Sequence, residues 1–261
     1  MNPGRIHIRE AFDRHATTYD ERFSSLAQAI RQDVWRIADS VFPPGTHLLD
    51  IGSGTGDDAI HFAQRGVRVT AVDIAPQMMA RLLLKADSAG LRAQIDARCA
   101  DIETSDFDGC RFDGVFSNFG AINCFDQLAW LGRLARQNLK PGAFLLLVTM
   151  GRVYPLETAV FLLRGKFERA FRRLQRTPEV RIEGLPVPVR YYSPKQFARV
   201  LGSELSLVQL AGLRSLVPVP SLEHLERRLP MGILRRLDSI VTRLPLTAAF
   251  SDHYISLWRR R

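Results

Sequence analysis

An aspartate followed by alternating glycines is the stretch of this sequence with the clearest chemical meaning. Asp50 lies in a short apolar run, which leads into Gly52, Ser53, Gly54, Thr55 and Gly56. Glycine permits the positive φ angles of a sharp turn, and it lets a ligand approach the backbone at the positive end of the following helix. The pattern therefore predicts a strand, a ligand-binding turn and a helix.

Two further aspartates close the next two apolar runs. Asp73 follows the β-branched run 67–72, about 20 residues after the glycines, where a carboxylate can accept hydrogen bonds from ribose hydroxyls. Asp101 follows the run 94–99. A glycine turn combined with an acidic strand end indicates a nucleoside-containing cofactor. The alternative is an α/β turn that binds no ligand.

The spacing of the glycines argues against a dinucleotide. A pyrophosphate is held by the pattern G-x-G-x-x-G, whereas this turn reads G-x-G-x-G between Asp50 and Asp57. Those two carboxylates would repel a pyrophosphate, but they suit a ligand that carries an ammonium group and a sulfonium. The ligand that fits this description is S-adenosylmethionine.

Four stretches of the chain resemble the successive motifs of class I S-adenosylmethionine-dependent methyltransferases, of the small-molecule type 11 and type 25 kind. They read LLDIGSGTGDDAIHFA, VTAVDIAPQMM, CADIETSDF and NLKPGAFLLLVTM. The resemblance runs from about Ala11 to Met150 and resumes weakly at Tyr191. It implies a Rossmann-like, doubly wound α/β fold. The implied sheet has seven strands, mostly parallel with an antiparallel last strand, and is accompanied by an N-terminal helical cap and two helical insertions.

The same resemblance implies that the cofactor is bound by Tyr19, Asp50, Gly52, Ser53, Gly54, Gly56, Asp73, Ile74, Met78, Asp101, Ile102 and Asn118. In such a site, Asp101 accepts a hydrogen bond from the adenine amino group and Ile102 packs on the ring. Tyr19 lies near the methionine end of the cofactor, and Phe12 and His15 lie near the substrate. The alternative is that Tyr19 and Phe12 are packing residues of a helix pair.

The expected chemistry leaves the catalytic residues open. Methyl transfer from a sulfonium is an in-line displacement, in which the enzyme orients donor and nucleophile and excludes water. A general base is needed only where the nucleophile carries a proton. The candidates for a catalytic role are His15, Asn118 and Tyr19. His15, His61 and His253 are the conceivable bases, although a lone histidine is more often structural.

Missing motifs narrow the substrate. The residues after the predicted fourth strand read Asn118-Phe119-Gly120-Ala121, without the two prolines of the enzymes that methylate exocyclic amines of nucleic-acid bases. Neither that strand end nor Val148-Thr149 carries clustered carboxylates, and Cys99, Cys110 and Cys124 lack metal-ligand spacing. No metal is therefore expected.

The chain divides into four segments with different expected roles. These are an N-terminal helical cap at 1–46, the cofactor-binding core at 47–150, a basic lid insertion at 151–192, and the remainder of the core at 193–261 with a second helical insertion at 213–249. The charge is uneven, because residues 1–150 carry 16 Lys and Arg against 18 Asp and Glu, while residues 151–261 carry 20 against 9. The later part of the chain is thus a basic surface that needs a partner of its own.

The lid insertion contains the most basic helical pattern. Residues 157–176 are predicted to form one amphipathic helix, with arginines around an apolar stripe of Val160, Leu163, Phe167, Ala170, Phe171 and Leu174. Three interpretations stay open. The helix contacts an anionic membrane surface, it recruits an acidic carrier protein or an anionic substrate, or it is a lid whose stripe packs on the domain. Sparse aromatic residues among the arginines disfavour nucleic acid.

These observations predict S-adenosylmethionine-dependent methyl transfer to a small organic acceptor that is apolar or anionic. The alternatives are a methyltransferase acting on RNA or on a carrier- or lipid-linked substrate, and a non-catalytic protein that binds S-adenosylmethionine for a partner. No apolar run reaches the ~20 residues of a membrane span, and the N-terminus lacks an apolar signal region. The expected location is cytoplasmic, with peripheral contact at the membrane surface as an alternative. Nothing in the sequence indicates the oligomeric state.

Overall fold

The computed structural model describes residues 3–22, 25–107, 109–175, 178–218, 229–242 and 244–261. Its helices are α1 (Pro3–His15), α2 (Ser25–Val41), α3 (Asp57–Gln64), α4 (Pro76–Ser88), α5 (Ala129–Asn138), α6 (Pro155–Leu163), α7 (Phe167–Ala170), α8 (Pro194–Leu201) and α9 (Met231–Val241). Its strands are β1 (His47–Ile51), β2 (Arg68–Asp73), β3 (Ile95–Cys99), β4 (Phe112–Ser117), β5 (Leu139–Met150), β6 (Glu179–Ile182), β7 (Leu185–Pro188), β8 (Leu205–Leu213) and β9 (His253–Arg260).

Seven of these strands form one sheet in the order β3-β2-β1-β4-β5-β9-β8. Strands β1 to β5 pair in parallel, and β9 runs antiparallel to both of its neighbours, β5 and β8. The expected Rossmann-like fold with an antiparallel last strand is therefore confirmed. The antiparallel strand lies inside the sheet, and β8 forms the edge. Because β8 and β9 join strands from residues 47–150, both predicted core segments contribute to one layer.

Two apolar layers cover the sheet, one on each face. Leu48 belongs to the layer that contains Val34 of α2 and Leu82 of α4, whereas its neighbour Leu49 belongs to the layer that contains Leu134 of α5. Both leucines are fully buried. A parallel strand covered on both faces alternates between two cores rather than between core and solvent. This explains why the buried residues of β1, Leu48, Leu49 and Ile51, show no polar alternation apart from Asp50.

The N-terminal cap packs on a hairpin that the sequence indicated only as a proline-punctuated stretch with strand-like runs. β6 and β7 pair antiparallel through Glu183 and Gly184, which both have positive φ, 48° and 79°. A two-residue turn of this kind matches the twist of hairpin strands. Ile8 and Ala11 of α1 pack against Val187 of β7, so the cap and the lid insertion meet.

The single helix predicted for residues 157–176 is wrong. After α6, Gly165 adopts a positive φ of 66°, and the Lys166 N–H donates to the Phe161 carbonyl at 2.8 Å. A left-handed residue closed by such a backward bond ends a helix, and glycine adopts that conformation without steric cost. The short helix α7 and a 3-10 turn at Arg172–Leu174 follow.

Four of the six residues of the predicted apolar stripe do not pack on the domain, although Val160 packs partly buried against Tyr154. Of its members only Ala170 is buried, whereas Leu163, Phe167, Phe171 and Leu174 are exposed, and Leu163 is 89% exposed. The interpretation of the stripe as the packed face of a lid is therefore wrong for these four residues. Their exposure leaves a contact with another molecule as the open interpretation.

The second insertion contributes α9, on which Leu237 and Ile240 are exposed. The predicted cap, lid insertion and second insertion each include residues outside the described ones, among them Phe23, Arg176 and Leu225. No helix within the described ranges is both long and apolar enough to cross a bilayer.

Candidate functional site

A cavity lies at the carboxyl ends of the parallel strands, where open α/β sheets bind ligands. Its volume is about 590 Å³. The turns after β1, β2 and β4 and the end of β5 supply one part of its wall, and α1 and the β6–β7 hairpin supply another. A cavity of this size accommodates a nucleoside cofactor together with a small second molecule.

The glycine turn forms the wall beside β1. Gly52, Gly54 and Gly56 have φ angles of 68°, 55° and 89°, so the predicted sharp turn is confirmed. A Cβ at Gly52 would stand 2.4 Å from the Cβ of Ala121, which leaves room only for glycine. Gly52 and Gly54 line the cavity, whereas Ser53 and Gly56 lie outside its wall.

Asp73 lies at the end of β2 in the cavity wall, where its carboxylate can receive ligand hydroxyls. Its Oδ2 accepts the Gly54 N–H at 3.0 Å, and its Oδ1 accepts the Ala75 N–H at 2.9 Å. Each carboxylate oxygen has a second lone pair. Burial raises the pKa of Asp73, and the backbone hydrogen bonds oppose that rise. These bonds hold the carboxylate in one orientation beside the glycine turn.

The other two aspartates of the predicted trio do not line the cavity. Asp50 is 1% exposed, and its Oδ2 has no hydrogen-bond partner among the described residues. Burial, followed by the carboxylates of Asp58 and Asp73, raises the pKa of Asp50 well above its usual range. Asp101 is held by Arg5, with Nη2 to Oδ1 at 2.7 Å and Nε to Oδ2 at 3.1 Å. Cofactor contacts of Asp50 and Asp101 therefore stay predictions.

Apolar side chains expected near the nucleoside line the same side of the cavity as Asp73. Ile74 follows Asp73 directly, Met78 lies in the first turn of α4, and Ile102 lies shortly beyond β3. Side chains of this kind can pack on the faces of a purine ring. Phe12 of α1, which was expected near the substrate, also lies in the cavity wall.

Tyr19 lies in the wall close to Gly54, and its ring makes an edge-to-face contact with His15 at a centroid distance of 5.4 Å. Burial raises the pKa of Tyr19 well above its usual range, Arg31 opposes that rise, and three carboxylates add to it. The three are Asp58, Asp73 and Asp57. With three carboxylates against one guanidinium, the electrostatic environment of Tyr19 favours a cationic ligand group.

Asn118 is held by a hydrogen-bond network that the sequence did not reveal. Its Nδ2 donates to both oxygens of Asp58, at 3.1 and 3.3 Å, and its Oδ1 accepts the Phe119 N–H at 2.8 Å. Trp35 Nε1 also donates to Asp58, at 2.7 Å. The amide of Asn118 is thus committed to the protein, which favours a positioning role over a catalytic one. Asp58 in the first turn of α3 was visible in the sequence, but its partner lies 60 residues away.

A second charged cluster on the opposite side of the cavity was missed by the sequence analysis. We call it the arginine cluster, and its members are Glu157, Arg172, Arg173 and Asp252. Arg173 Nε donates to Glu157 Oε2 at 2.8 Å, and Arg173 Nη2 donates to Asp252 Oδ1. Arg172 Nη2 donates to Glu157 Oε1 at 2.6 Å. Because Arg173 is 6% exposed, its assignment to the basic surface of the lid is wrong.

The position of the helix break explains why the arginine cluster was missed. Glu157 and Arg173 are 16 residues apart. On one continuous helix that separation corresponds to a rotation of about 160°, which would place the two side chains on opposite faces. The turn at Gly165 folds the chain back and brings them together. No signal in the spacing of the sequence indicates this contact.

The three histidines considered as bases occupy different places. His61 Nε2 meets Asp39 at 2.9 Å, and His61 lies outside the cavity wall. His15 Nδ1 meets Glu183 Oε1 at 3.0 Å, and His15 lines the cavity near the glycine turn. His253 lines it beside the arginine cluster. Among the described residues, no three His, Cys, Asp or Glu side chains are grouped so that they could hold a metal ion.

Residues 48–142 match a family model described as a methyltransferase domain. The ubiquinone/menaquinone biosynthesis C-methyltransferase UbiE of Geotalea daltonii is 30% identical to this chain over 156 residues, which are 58% of this chain and 62% of that protein. The malonyl-[acyl-carrier protein] O-methyltransferase of Serratia marcescens is 34% identical over 146 residues, which are 55% of this chain and 52% of that protein. The chain thus spans less than two thirds of the length of either relative.

A solved structure shares the fold over nearly the whole chain. The CcbJ methyltransferase of Streptomyces caelestis superposes with a TM-score of 0.64 at 18% sequence identity, and the match covers 96% of this chain and 97% of that one. At this identity the similarity shows a common fold. The region matched by the family model contains the glycine turn, Asp73, Asp101 and Asn118.

Proposed function

We propose that this protein transfers a methyl group from S-adenosylmethionine to a small organic acceptor, since residues 48–142 match a model of a methyltransferase domain and contain the motifs that resemble S-adenosylmethionine-dependent enzymes. The observation that carries the proposal is the cavity, in which the glycine turn and Asp73 are continuous with the arginine cluster. Donor and acceptor can meet there, between the sheet, α1 and the hairpin, with water excluded.

The side chains on the Asp73 side of the cavity fit a sulfonium nucleoside. Asp73 would accept ribose hydroxyls with the lone pairs that the backbone does not use. Ile74, Met78 and Ile102 would enclose the adenine, and the carboxylates near Tyr19 would stabilise the positively charged methionine end. When bound, S-adenosylmethionine supplies a methyl group that its sulfonium has already activated.

The chain's own task in this reaction is to orient the two reactants. An in-line displacement at the methyl group releases a neutral thioether, so no residue needs to stabilise a charged leaving group. Asn118, held by Asp58, keeps the turn after β4 in one conformation between the two sides of the cavity. We therefore assign Asn118 to positioning.

The other side of the cavity supports an apolar or anionic acceptor. Apolar groups there include Leu213, which pairs with His253 in the sheet, and the ring of Tyr191, whose centroid lies 5.2 Å from the Arg173 guanidinium. The charged wall residues there are three arginines, Arg172, Arg173 and Arg214, against two carboxylates, Glu157 and Asp252. The surplus of positive charge disfavours a cationic acceptor such as an ammonium group.

A second candidate is an acceptor carried on a lipid or on an acidic carrier protein. The exposed side chains Leu163 and Phe167 alternate with Arg164, Lys166 and Arg169, and this segment leads directly into the arginine cluster of the cavity wall. A surface that is both apolar and basic favours an anionic membrane or an acidic protein. The names of the two relatives, a quinone-biosynthesis enzyme and a malonyl-carrier-protein enzyme, are compatible with such acceptors.

Two measurements test the proposed function. In titration calorimetry we expect binding of S-adenosylmethionine and S-adenosylhomocysteine and no heat with NAD; binding of NAD alone would contradict the cofactor assignment. In the second measurement, the tritiated methyl group of S-adenosylmethionine is offered with phenols, carboxylic acids, thiols and amines as probe acceptors. Transfer to one of these classes supports an enzyme, whereas binding without transfer supports a non-catalytic binding protein.

A further inference from the structure

Asp252 and His253, consecutive residues at the entrance of β9, form a hydrogen-bonded pair in the cavity wall. His253 Nδ1 lies 2.7 Å from Asp252 Oδ2. The side chain of Asp252 is 5% exposed and that of His253 is 17% exposed. A buried carboxylate bonded to one ring nitrogen determines the tautomer and the orientation of an imidazole.

The arginine cluster keeps Asp252 ionised. Arg173 Nη2 donates to Oδ1 of Asp252, while His253 occupies Oδ2. Burial opposes the ionisation of Asp252, but His253 and Arg173 outweigh it and hold the pKa of Asp252 far below its usual range. An ionised Asp252 accepts the Nδ1–H of His253, which leaves a lone pair on Nε2. Among the described residues, Nε2 has no hydrogen-bond partner.

The strand register places His253 at the edge of the sheet where the parallel strands end. It pairs with Met150 at the end of β5 and with Leu213 at the end of β8, and both of these residues line the cavity. Its ring centroid lies 6.5 Å from that of Phe119, in the turn after β4. Because β9 is antiparallel, its first residue lies at this edge.

We propose that His253, oriented by Asp252, is the general base of the methyl transfer, and that the acceptor atom is the oxygen of a phenolic hydroxyl. This inference rests on the proposed function. A carboxylate acceptor needs no base, and the surplus of arginines beside the pair disfavours an ammonium acceptor. A phenol has a pKa of about 10, as in tyrosine, so an imidazole can assist its ionisation. Leu213 and the ring of Tyr191, which lie beside the pair, would face the aromatic ring of the acceptor.

The step balances within the complex of enzyme, donor and acceptor. As the phenol oxygen forms its bond to the methyl carbon, the carbon–sulfur bond breaks and the sulfur keeps the electron pair as a neutral thioether. The hydroxyl proton moves to Nε2 of His253, and the carboxylate of Asp252 stabilises the imidazolium. The proton passes to solvent after the products leave.

His15, the other candidate base in the cavity wall, is less suited to this role. The side chain of its partner Glu183 is 28% exposed on the hairpin turn, compared with 5% for Asp252. His15 also stands edge-on to Tyr19, on the same side of the cavity as the glycine turn. His253 lies instead beside the arginine cluster, where the acceptor is proposed to bind.

Several charged or titratable groups face the pair. They are Tyr154, Glu157, Arg172, Arg173, Tyr191 and Arg214. Burial raises the pKa of Tyr154 and of Tyr191, so both stay neutral at physiological pH, and the arginines stay charged. Neither tyrosine therefore adds a negative charge beside the pair.

A first test needs no acceptor. Long-range ¹H–¹⁵N spectra of the intact protein are recorded at pH 8, and the His253 signals are identified by their absence in His253→Gln. We expect these signals to show the tautomer that is protonated at Nδ1. The Nε2–H tautomer would leave no lone pair for the acceptor and would overturn the inference. Calorimetry with S-adenosylmethionine should give the same affinity for wild type and His253→Gln, while an absence of binding in wild type would overturn the proposed function instead.

A second test follows turnover with two probe phenols, 4-methylphenol, which is protonated at pH 8, and 4-nitrophenol, which is largely ionised there. We expect His253→Gln to lower kcat for 4-methylphenol by about 10²–10⁴-fold and for 4-nitrophenol far less, because an ionised acceptor needs no base. His7→Gln, which alters an exposed histidine of α1 outside the cavity wall, should leave both rates unchanged. Equal losses with both phenols, or turnover of carboxylic acids and of no phenol, would overturn the inference while leaving the proposed function standing.

Discussion

Arg5, near the start of α1, donates hydrogen bonds to both carboxylate oxygens of Asp101, which lies 96 residues later, beyond β3. The Arg5 guanidinium also lies 4.4 Å from the centroid of the Phe125 ring. The ion pair between Arg5 and Asp101 holds the N-terminal cap at the position where the family resemblance predicts adenine recognition. A carboxylate with both oxygens bound to a guanidinium has less capacity for an adenine amino group. The predicted recognition of adenine by Asp101 would therefore compete with the ion pair that holds the cap.

Removal of this ion pair should loosen the cap. We expect Arg5→Gln to speed hydrogen–deuterium exchange of the backbone amides in α1 by at least about tenfold, because truncating one partner leaves the other charge buried without compensation. The matched control is Arg14→Gln on the same helix, whose ion pair with Glu10 is exposed and should affect exchange little. Equal exchange in the two variants would show that the pair does not hold α1 in place.

Loss of the Asp73 carboxylate should weaken cofactor binding. We expect Asp73→Ala to lower the affinity for S-adenosylmethionine by about 10–150-fold, the effect of losing a charged hydrogen-bonding group. Calorimetry with S-adenosylmethionine measures it. Asp96→Ala in β3, whose carboxylate pairs with Arg98 at the surface, is the control and should keep the wild-type affinity. An unchanged affinity in Asp73→Ala would contradict the assignment of this residue to the ribose.

The carboxylate of Asp50 should lower the free energy of unfolding at neutral pH. The pKa of Asp50 is raised in the folded state, so the folded state binds more protons than the unfolded state does. The contribution of Asp50 to stability therefore falls as pH rises from the unfolded pKa of about 3.9 towards the raised folded pKa. We expect Asp50→Asn to raise the free energy of unfolding at pH 7.5 by about 1–3 kcal/mol, because an amide avoids a buried unpaired charge.

Urea denaturation at pH 5 and pH 7.5 measures this effect. The gain in Asp50→Asn should be larger at pH 7.5 than at pH 5, while Asp87→Asn, an exposed control on α4, should follow wild type at both. A destabilised Asp50→Asn variant at pH 7.5 would show that the Asp50 carboxylate stabilises the fold.

The exposed segment 163–169, which includes the end of α6 and most of α7, provides a test of membrane contact. Wild type is expected to sediment with vesicles of phosphatidylglycerol and not with vesicles of phosphatidylcholine, because binding of an apolar and basic segment depends on anionic lipid. Substituting Leu163, Phe167, Lys166 and Arg169 by serine or glutamine should abolish sedimentation. Arg173 is left intact, since it is buried in the arginine cluster. Arg36→Gln, which alters an exposed arginine of α2, is the control. If wild type sediments with neither type of vesicle, the membrane hypothesis is contradicted.

Short-range patterns predicted those features that short-range physics controls. The alternating glycines predicted a turn with positive φ, and Gly52, Gly54 and Gly56 adopt it. The apolar runs predicted the strands of a parallel sheet, because a strand buried on both faces has no polar alternation. The acidic end of β2 predicted a carboxylate at the ligand edge, and Asp73 lies there.

Contacts between distant parts of the chain were not predictable in this way. Asp50 and Asp101 have the same sequence context as Asp73, a strand end near a turn, yet Asp50 is buried behind the glycine turn and Asp101 is taken by Arg5. In the sequence Arg173 resembles the exposed arginines around it. It is buried because the helix breaks at Gly165 and the chain folds back.

The amino-acid sequence by itself determined the fold class, the glycine turn and the carboxylate that faces the cofactor edge, because each depends on residues within a few positions of one another. Only the tertiary structure decided which charges face the cavity and which histidine stands beside them. His253 reaches the cavity because its strand is antiparallel, and Asp252 contacts Arg173 across 79 residues. Neither contact produces a periodic pattern in the sequence.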